Sequence, residues 1–142
     1  MNLVLRIATA VCLAATGFLH AQLYAGGYRV IPVIGPAFLA QASASMAVAL
    51  LLLAGGPRWL RLTAAALAAG ALAGFVLSRT TGLFGFSERG FQPAPQALLS
   101  VSAEVAVLVL VAVALHRDGW RPRDLSFRNG GEPAGERRGR RV

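Results

Sequence analysis

Lysine is absent from this sequence of 142 residues, and cysteine and histidine are scarce. The one cysteine, Cys12, cannot form an intrachain disulfide, which excludes a thiol-oxidising relay that works through a redox pair. The two histidines, His20 and His116, fall near opposite faces of the predicted membrane, so one chain cannot clamp a haem between them. P-loop, zincin and serine-hydrolase motifs are also missing. We therefore expect no cofactor, and no complete metal site within a single chain.

Charge is scarce as well. Only 14% of the residues are charged and 56% are hydrophobic, whereas soluble domains carry about 25% charged residues. Four apolar segments approach the roughly 20 residues that a helix needs to cross about 30 Å of hydrocarbon; they cover residues 3–23, 34–54, 60–78 and 97–116. None alternates apolar and polar residues as barrel strands do. The sequence predicts an all-α integral membrane domain over residues 1–116, folded as an antiparallel four-helix bundle.

Arginine sets the predicted orientation. Eleven arginines fall near the N-terminus, between the second and third spans and after the fourth, whereas Arg29, Arg79 and Arg89 fall on the other side. By the positive-inside rule, both termini face the cytoplasm, and the chain is a multi-pass protein of a bacterial inner (plasma) membrane. A signal peptide cleaved after Ala21 is the alternative for the first span. Leu19 occupies a position where cleavage needs a small residue, which favours an uncleaved helix.

After His116 the composition changes to arginine, glycine, proline and acids. Because this stretch has almost no apolar side chains to bury, residues 117–142 are predicted to form a disordered, basic cytoplasmic tail. Its arginines are interpreted as a topological anchor, and four acidic residues reduce its net charge. The basic balance therefore indicates the lipid bilayer as a partner and not nucleic acid.

Polar side chains recur at helical spacing along three of the spans. The second span carries Gln41, and the fourth carries Ser100 and Glu104. With a rise of 1.5 Å per residue, His20, Gln41 and Glu104 all lie in the outer half of the membrane. We expect them to meet in an outward-facing polar pocket with Glu104 as its floor. The alternative for His20 is a hydrogen bond to neighbouring backbone or to Gln41. The stripe of the first span comprises Thr9, Cys12, Thr16, His20 and Tyr24.

Glu104 is the only acidic residue inside a predicted span. A charge in mid-membrane costs about 2.5–3.5 kcal/mol on insertion scales, so an acid at this position is a candidate functional residue. It must be protonated, paired or hydrated. A structural tie to His20 or to Arg79 that sets the helix register is the alternative to a role in binding or transport.

The third span carries small residues at a spacing of four, at Ala66, Gly70 and Gly74. This pattern lets another helix approach closely and gain packing energy that lipid exclusion does not supply. It predicts a close helix contact, either within one chain or between two copies.

Two glycine-rich loops are predicted on the outer side, where Tyr28, Arg29 and Glu88 are candidate site residues. Together with Leu19-His20 and Ala103-Glu104, the run GYRVIPVIG at 27–35 and the run SRTTGLFGFSE at 78–88 resemble small four-span membrane proteins of high-GC bacteria. The resemblance covers about residues 15–110. It implies that the two loops and Glu104 belong to one shared design, and it transfers no activity.

These observations predict an accessory or ligand-binding component of a larger membrane system, without catalytic turnover. A small oligomeric transporter of protons or solutes is one alternative. A quinone- or haem-associated redox subunit is another. The expected protein partners are a second copy of the chain or a larger membrane complex.

Overall fold

The computed structural model describes residues 1–119, which form four long helices. They are α1 (Leu3–Ala25), α2 (Ile34–Ala54), α3 (Arg58–Arg79) and α4 (Gln96–Gly119). A short 3₁₀ turn, Tyr28–Val30, follows α1. Each helix is long and apolar enough to cross a membrane. Residues 1–119 contain no β-strand, only an isolated bridge between Leu83 and Phe86.

The ends of the helices follow from local sequence. Asn2 caps α1, because its side-chain oxygen accepts a hydrogen bond from the Leu5 amide at 2.9 Å. Pro36 lies in the first turn of α2, where a missing N–H leaves no hydrogen bond unmade. Pro57 immediately precedes α3. The φ angle of proline is fixed at a value that suits the start of a helix. These signals place the first three helices on the predicted spans.

Helix α4 extends into the segment that the sequence assigned to the tail. It continues through residues 117–119, where Asp118 accepts a 2.5 Å hydrogen bond from Arg61 of α3. This ion pair joins α4 to α3 and accounts for the extra turn. The rest of the predicted disordered tail, residues 120–142, lies outside the described residues.

The helices pack around an apolar core. Helices α1 and α3 each contact both α2 and α4. The core includes Leu13, Leu52, Ala64 and Val107, one from each helix and all fully buried. Large apolar side chains are also exposed on the outer faces of all four helices, which is the surface that helices present to lipid.

Two connections lie at the same end of the helices. We call residues 26–33, between α1 and α2, the first loop, and residues 80–95, between α3 and α4, the third loop. The third loop is tied back to α3 by a 2.9 Å hydrogen bond from the Glu88 amide to the Ser78 carbonyl. Both loops line the cavity described next.

Candidate functional site

The polar stripes of the helices meet at a cavity of about 230 Å³. All four helices and both loops contribute to its wall. Seven of the eight residues singled out from the sequence line it: His20, Tyr28, Gln41, Arg79, Glu88, Ser100 and Glu104. The eighth, Arg29, is exposed and is not among the lining residues.

Glu104 is the polar centre of the cavity. It is only 2% exposed. Its Oε1 atom accepts a 2.8 Å hydrogen bond from the Ser100 hydroxyl, one turn earlier on α4, and a 3.3 Å hydrogen bond from the Thr16 hydroxyl of α1. Both bonds go to the same oxygen, which leaves Oε2 free to bond a further group.

His20 faces Glu104 without bonding to it directly. Its Nδ1 lies 2.9 Å from the Thr16 carbonyl oxygen. Because a carbonyl only accepts, Nδ1 must carry the hydrogen, and Nε2 of the neutral ring is then an acceptor. Nε2 lies 3.9 Å from Glu104 Oε1, beyond direct hydrogen-bond distance. The Thr16 hydroxyl joins the two residues, since it also lies 3.3 Å from Nδ1.

The two interpretations of His20 therefore apply to different nitrogens. Nδ1 is bonded to neighbouring backbone, as the alternative predicted, whereas Nε2 faces the carboxylate. Gln41 is not a partner of His20. Its side-chain amide instead donates a 3.1 Å hydrogen bond to the Leu67 carbonyl, which joins α2 to α3.

Aromatic rings connect the first loop to this polar centre. Phe38 of α2 packs against the His20 ring at 5.1 Å and stacks on Tyr28 at 4.8 Å between ring centroids. Tyr28 also meets Phe86 of the third loop edge-on at 5.7 Å. The Tyr28 hydroxyl donates a hydrogen bond to Glu88 across the two loops. Burial, and then Glu88, raise the pKa of Tyr28, so its phenol stays a neutral donor.

Arg79 organises the third loop and does not pair with Glu104. Its guanidinium donates to the carbonyls of Gly90 and Gln92, each at 2.6 Å, and pairs with Glu88 at 3.0 Å. It also stacks on the Phe75 ring at 3.7 Å. The tie between Glu104 and Arg79 that the sequence allowed is therefore wrong. The loop carbonyls and Glu88 take the arginine because they lie at the same end of α3.

The small residues of α3 make no close helix contact within the chain, and the alternative of a contact between two copies stays a prediction. A Cβ atom placed on Gly70 or Gly74 would meet no atom of a neighbouring helix within 4 Å. Both glycines line the cavity instead of a close helix contact within the chain. Close approach occurs at Gly17 of α1, where a Cβ would lie 3.1 Å from the Ala42 carbonyl oxygen of α2. Small residues on α3 thus create space, because no partner helix fills it.

Three residues outside the predicted site contribute to it. Thr16 and Ser78 each provide a buried hydroxyl, and Phe38 provides the ring between His20 and Tyr28. Thr16 belongs to the stripe predicted for the first span, four residues before His20, so the sequence placed it on the face of His20 although it was not among the eight candidates. Phe38 carries no such signal, since a phenylalanine in an apolar span is ordinary.

Replacing Arg79 with lysine is expected to loosen the third loop. A single ammonium cannot reproduce the fork that reaches two carbonyls and Glu88 together, and each hydrogen bond to a charged group contributes about 1.5–3 kcal/mol. The Glu88 amide should exchange with solvent at least tenfold faster, as measured by hydrogen exchange in nanodiscs. The matched control is Arg89→Lys, because Arg89 is exposed in the same loop. Equal exchange in both variants would contradict this role.

The site does not supply an obvious metal centre: among residues 1–119, no three His, Cys, Asp or Glu side chains come together in a way that could hold a metal ion. Comparisons of the chain with protein-family models, with curated proteins and with solved structures found no match. The geometry of the cavity is therefore the basis for a function.

Proposed function

We propose that this protein is a small ligand-binding protein of the membrane, accessory to a larger membrane system, and that its ligand occupies the cavity over Glu104. The observation that carries the proposal is a carboxyl group that is 2% exposed, faces a cavity and uses only one of its two oxygens within the described residues. A carboxyl group inside a membrane span is costly to keep. A ligand that bonds Oε2 accounts for its presence.

The size and lining of the cavity support a molecular ligand. At about 230 Å³ it exceeds the roughly 150 Å³ engineered cavity that binds benzene. Its wall combines apolar side chains with a few convergent polar groups, the combination typical of small-molecule sites. Water alone could form hydrogen bonds with the acid and the histidine, but it would make no favourable contact with the apolar part of the wall.

Binding without turnover agrees with the arrangement of the hydroxyl groups. The Thr16 hydroxyl lies beside His20, as a nucleophile lies beside its base. However, the nearby nitrogen is Nδ1, which carries a hydrogen and donates it to the Thr16 carbonyl. It cannot accept the hydroxyl proton in this state. This supports an accessory or binding role over nucleophilic catalysis.

The proposal places the cavity at the outer side of a bacterial plasma membrane. The contacts of α1 and α3 with both α2 and α4 support an antiparallel four-helix transmembrane bundle. The arginine distribution supports cytoplasmic termini, with the first and third loops outside. The resemblance to four-span proteins of high-GC bacteria stays a prediction.

Topology is tested with reporters. Fusions at the C-terminus and between Gly55 and Arg58 should both report the cytoplasm, and a tag inserted near Gly90 should be accessible from outside. The reason is that eleven of the fourteen arginines fall on the side assigned to the cytoplasm. An external C-terminus would overturn the orientation and with it the outward-facing cavity.

Ligand binding is tested with a matched pair of serine variants. Ser100 donates to Glu104, whereas Ser102 is exposed and donates to the carbonyl of Leu98 in its own helix. The wild-type protein and Ser102→Ala, purified in nanodiscs, are expected to retain the same small molecule in mass spectrometry. Ser100→Ala should retain less, because the Glu104 carboxyl then loses one of the two hydrogen bonds that hold it in place beside the cavity.

Two outcomes would favour another function, and a third would support the accessory role. Proton or solute flux in proteoliposomes, with no retained molecule, would favour the oligomeric transporter. Stable co-purification with a larger membrane complex would support the accessory role. An absorption band in the visible range, or a bound quinone, would favour the redox subunit.

A further inference from the structure

Part of the cavity wall lies at exposed residues of α2 and α3. Ala37 of α2 and Gly70 of α3 both line the cavity and are both exposed. At Gly70 and Gly74 no side chain closes the gap, and a Cβ there would meet nothing within 4 Å. We call this gap the α2–α3 opening.

The opening lies at membrane depth. With a rise of 1.5 Å per residue, Gly70 lies about 14 Å from the Arg79 end of α3. Its inner limit is the hydrogen bond from Gln41 to the Leu67 carbonyl, which holds α2 and α3 together just below Gly70. At the loop end, Tyr28 and Glu88 join the first and third loops. In the proposed transmembrane orientation, the gap between these two contacts faces hydrocarbon.

The chemistry of the wall limits what can bind there. Most of the lining is apolar and includes Leu23, Ile34, Phe38, Phe75 and Val101. The polar groups collect at Glu104. The hydroxyls of Ser100 and Thr16 already donate to Oε1, so the unused capacity lies at Glu104 Oε2 and His20 Nε2. Nε2 accepts, whereas Oε2 accepts when the carboxyl is ionised and donates when it is protonated.

On the basis of the proposed function, we propose that the ligand is a neutral, lipid-soluble molecule with a hydroxyl group, and that it enters from the bilayer through the α2–α3 opening. Its apolar part lies against Phe38 and Phe75, and its hydroxyl donates to Glu104 or His20. A hydroxyl can donate to Nε2 and can either donate to or accept from Oε2, whereas an ether or a ketone cannot donate to Nε2. An ammonium group also donates, but a charge crossing the hydrocarbon on the way in is costly.

Two probes separate the hydroxyl from the rest of the molecule. The binding of para-pentylphenol and of its methyl ether, para-pentylanisole, is measured by native mass spectrometry of the full chain in nanodiscs. The phenol should bind at least tenfold more tightly to the wild-type protein. In Glu104→Gln this preference should fall at least threefold, because an amide oxygen is a weaker acceptor than a carboxylate. Equal binding of both probes would overturn the hydroxyl assignment and leave a pocket that binds apolar molecules.

The entry route is tested separately by a pair of variants on α3. Gly70→Leu fills the α2–α3 opening, whereas Ala69→Leu adds the same side chain at an exposed position outside the cavity lining. Uptake is followed with an alkyl-diazirine phenol, irradiated at set times after mixing. Labelling should be at least tenfold slower in Gly70→Leu and unchanged in Ala69→Leu. Unchanged labelling in both would overturn entry through the opening.

The outcomes distinguish this inference from the proposed function. If neither probe binds but a cellular molecule is retained in a Ser100-dependent way, only the ligand class is wrong. If neither probe binds and no molecule is retained, the cavity holds water and both proposals fail. Gly74→Ala provides a check on folding, since a Cβ at that position meets nothing.

Discussion

Replacing Glu104 with leucine is expected to abolish ligand binding while the protein stays as stable as the wild type or becomes more stable. The leucine side chain cannot accept a hydrogen bond from the hydroxyl of the proposed ligand. It also removes a carboxyl group from the membrane interior, where insertion of a charge costs about 2.5–3.5 kcal/mol. Removal of one member of a buried ion pair destabilises because it leaves the other charge unpaired. Glu104 has no cation within hydrogen-bond distance among the described residues, since His20 Nε2 lies 3.9 Å away, so its removal leaves no such charge.

The groups that bond Glu104 can find other partners. Ser100 and Thr16 both lie within helices, where a hydroxyl can bond the carbonyl one turn earlier. Other serines in the chain already do this: Ser43 donates to Leu39 and Ser102 donates to Leu98, both at 2.8 Å. Loss of the carboxylate therefore need not leave an unsatisfied hydroxyl.

Glu104→Gln serves as the matched control. It preserves the shape and an acceptor for Ser100 and Thr16, and should fold normally. Its affinity for para-pentylphenol should fall about tenfold, which corresponds to about 1.4 kcal/mol. Stability is measured by unfolding in mixed micelles with SDS, and affinity by native mass spectrometry. If Glu104→Leu unfolds while Glu104→Gln does not, the residue has a structural role and the alternative of a register tie to His20 is correct.

His20 gives a second measure of the same site. His20→Ala should weaken binding less than the Glu104 variants, because Nε2 lies 3.9 Å from Oε1 and the two residues are joined through Thr16. Residues in one hydrogen-bond network couple by about 0.5–3 kcal/mol in double-mutant cycles. Strictly additive effects of His20→Ala and Glu104→Gln would indicate that they act separately.

The sequence contained the information for the helices and for much of the cavity wall. Apolar length and glycine–proline breaks are properties of consecutive residues, so the positions of the four helices could be predicted. The spacing of Ser100 and Glu104 placed them on one face of α4, and depth placed His20 in the same outer half of the membrane. Apolar length, side-chain spacing and depth are each determined by the sequence of a single helix.

The parts that could not be predicted depend on the distance between helices. Gly70 and Gly74 satisfied the pattern for close packing, but the same small residues leave a gap when the facing helix stays away. Arg79 could reach either Glu104 or the third loop, and only the path of that loop determines which. Phe38 is one of many apolar residues until Tyr28 and His20 are brought to either side of it.

Replacing Gly35 with alanine is expected to lower the free energy of unfolding by about 1–3 kcal/mol, the usual cost of overpacking. A Cβ at this position would lie 2.8 Å from the carbonyl oxygens of both Tyr28 and Arg29. These are backbone atoms of the 3₁₀ turn, so no side-chain rotation can relieve the contact. The turn must move away from α2.

The same movement should weaken ligand binding. Tyr28 belongs to the turn, and its ring stacks on Phe38 while its hydroxyl donates to Glu88. A shift of the turn therefore displaces the wall of the cavity at the point where the first and third loops meet. We expect the affinity for para-pentylphenol to fall together with stability in Gly35→Ala, although the substituted residue does not touch the cavity.

Gly74→Ala separates the steric cause from the change of residue type. A Cβ there meets nothing within 4 Å, and alanine is favoured over glycine inside a helix by about 1 kcal/mol. This variant should be as stable as the wild type or more stable in SDS unfolding. Helix propensity favours alanine over glycine at Gly35 as well. A loss of stability in Gly35→Ala is therefore opposite in sign to the helix propensity, and it must come from the contact with the turn. Equal stability of the two variants would show that the turn can move without cost, and that the first loop is not held in place by α2.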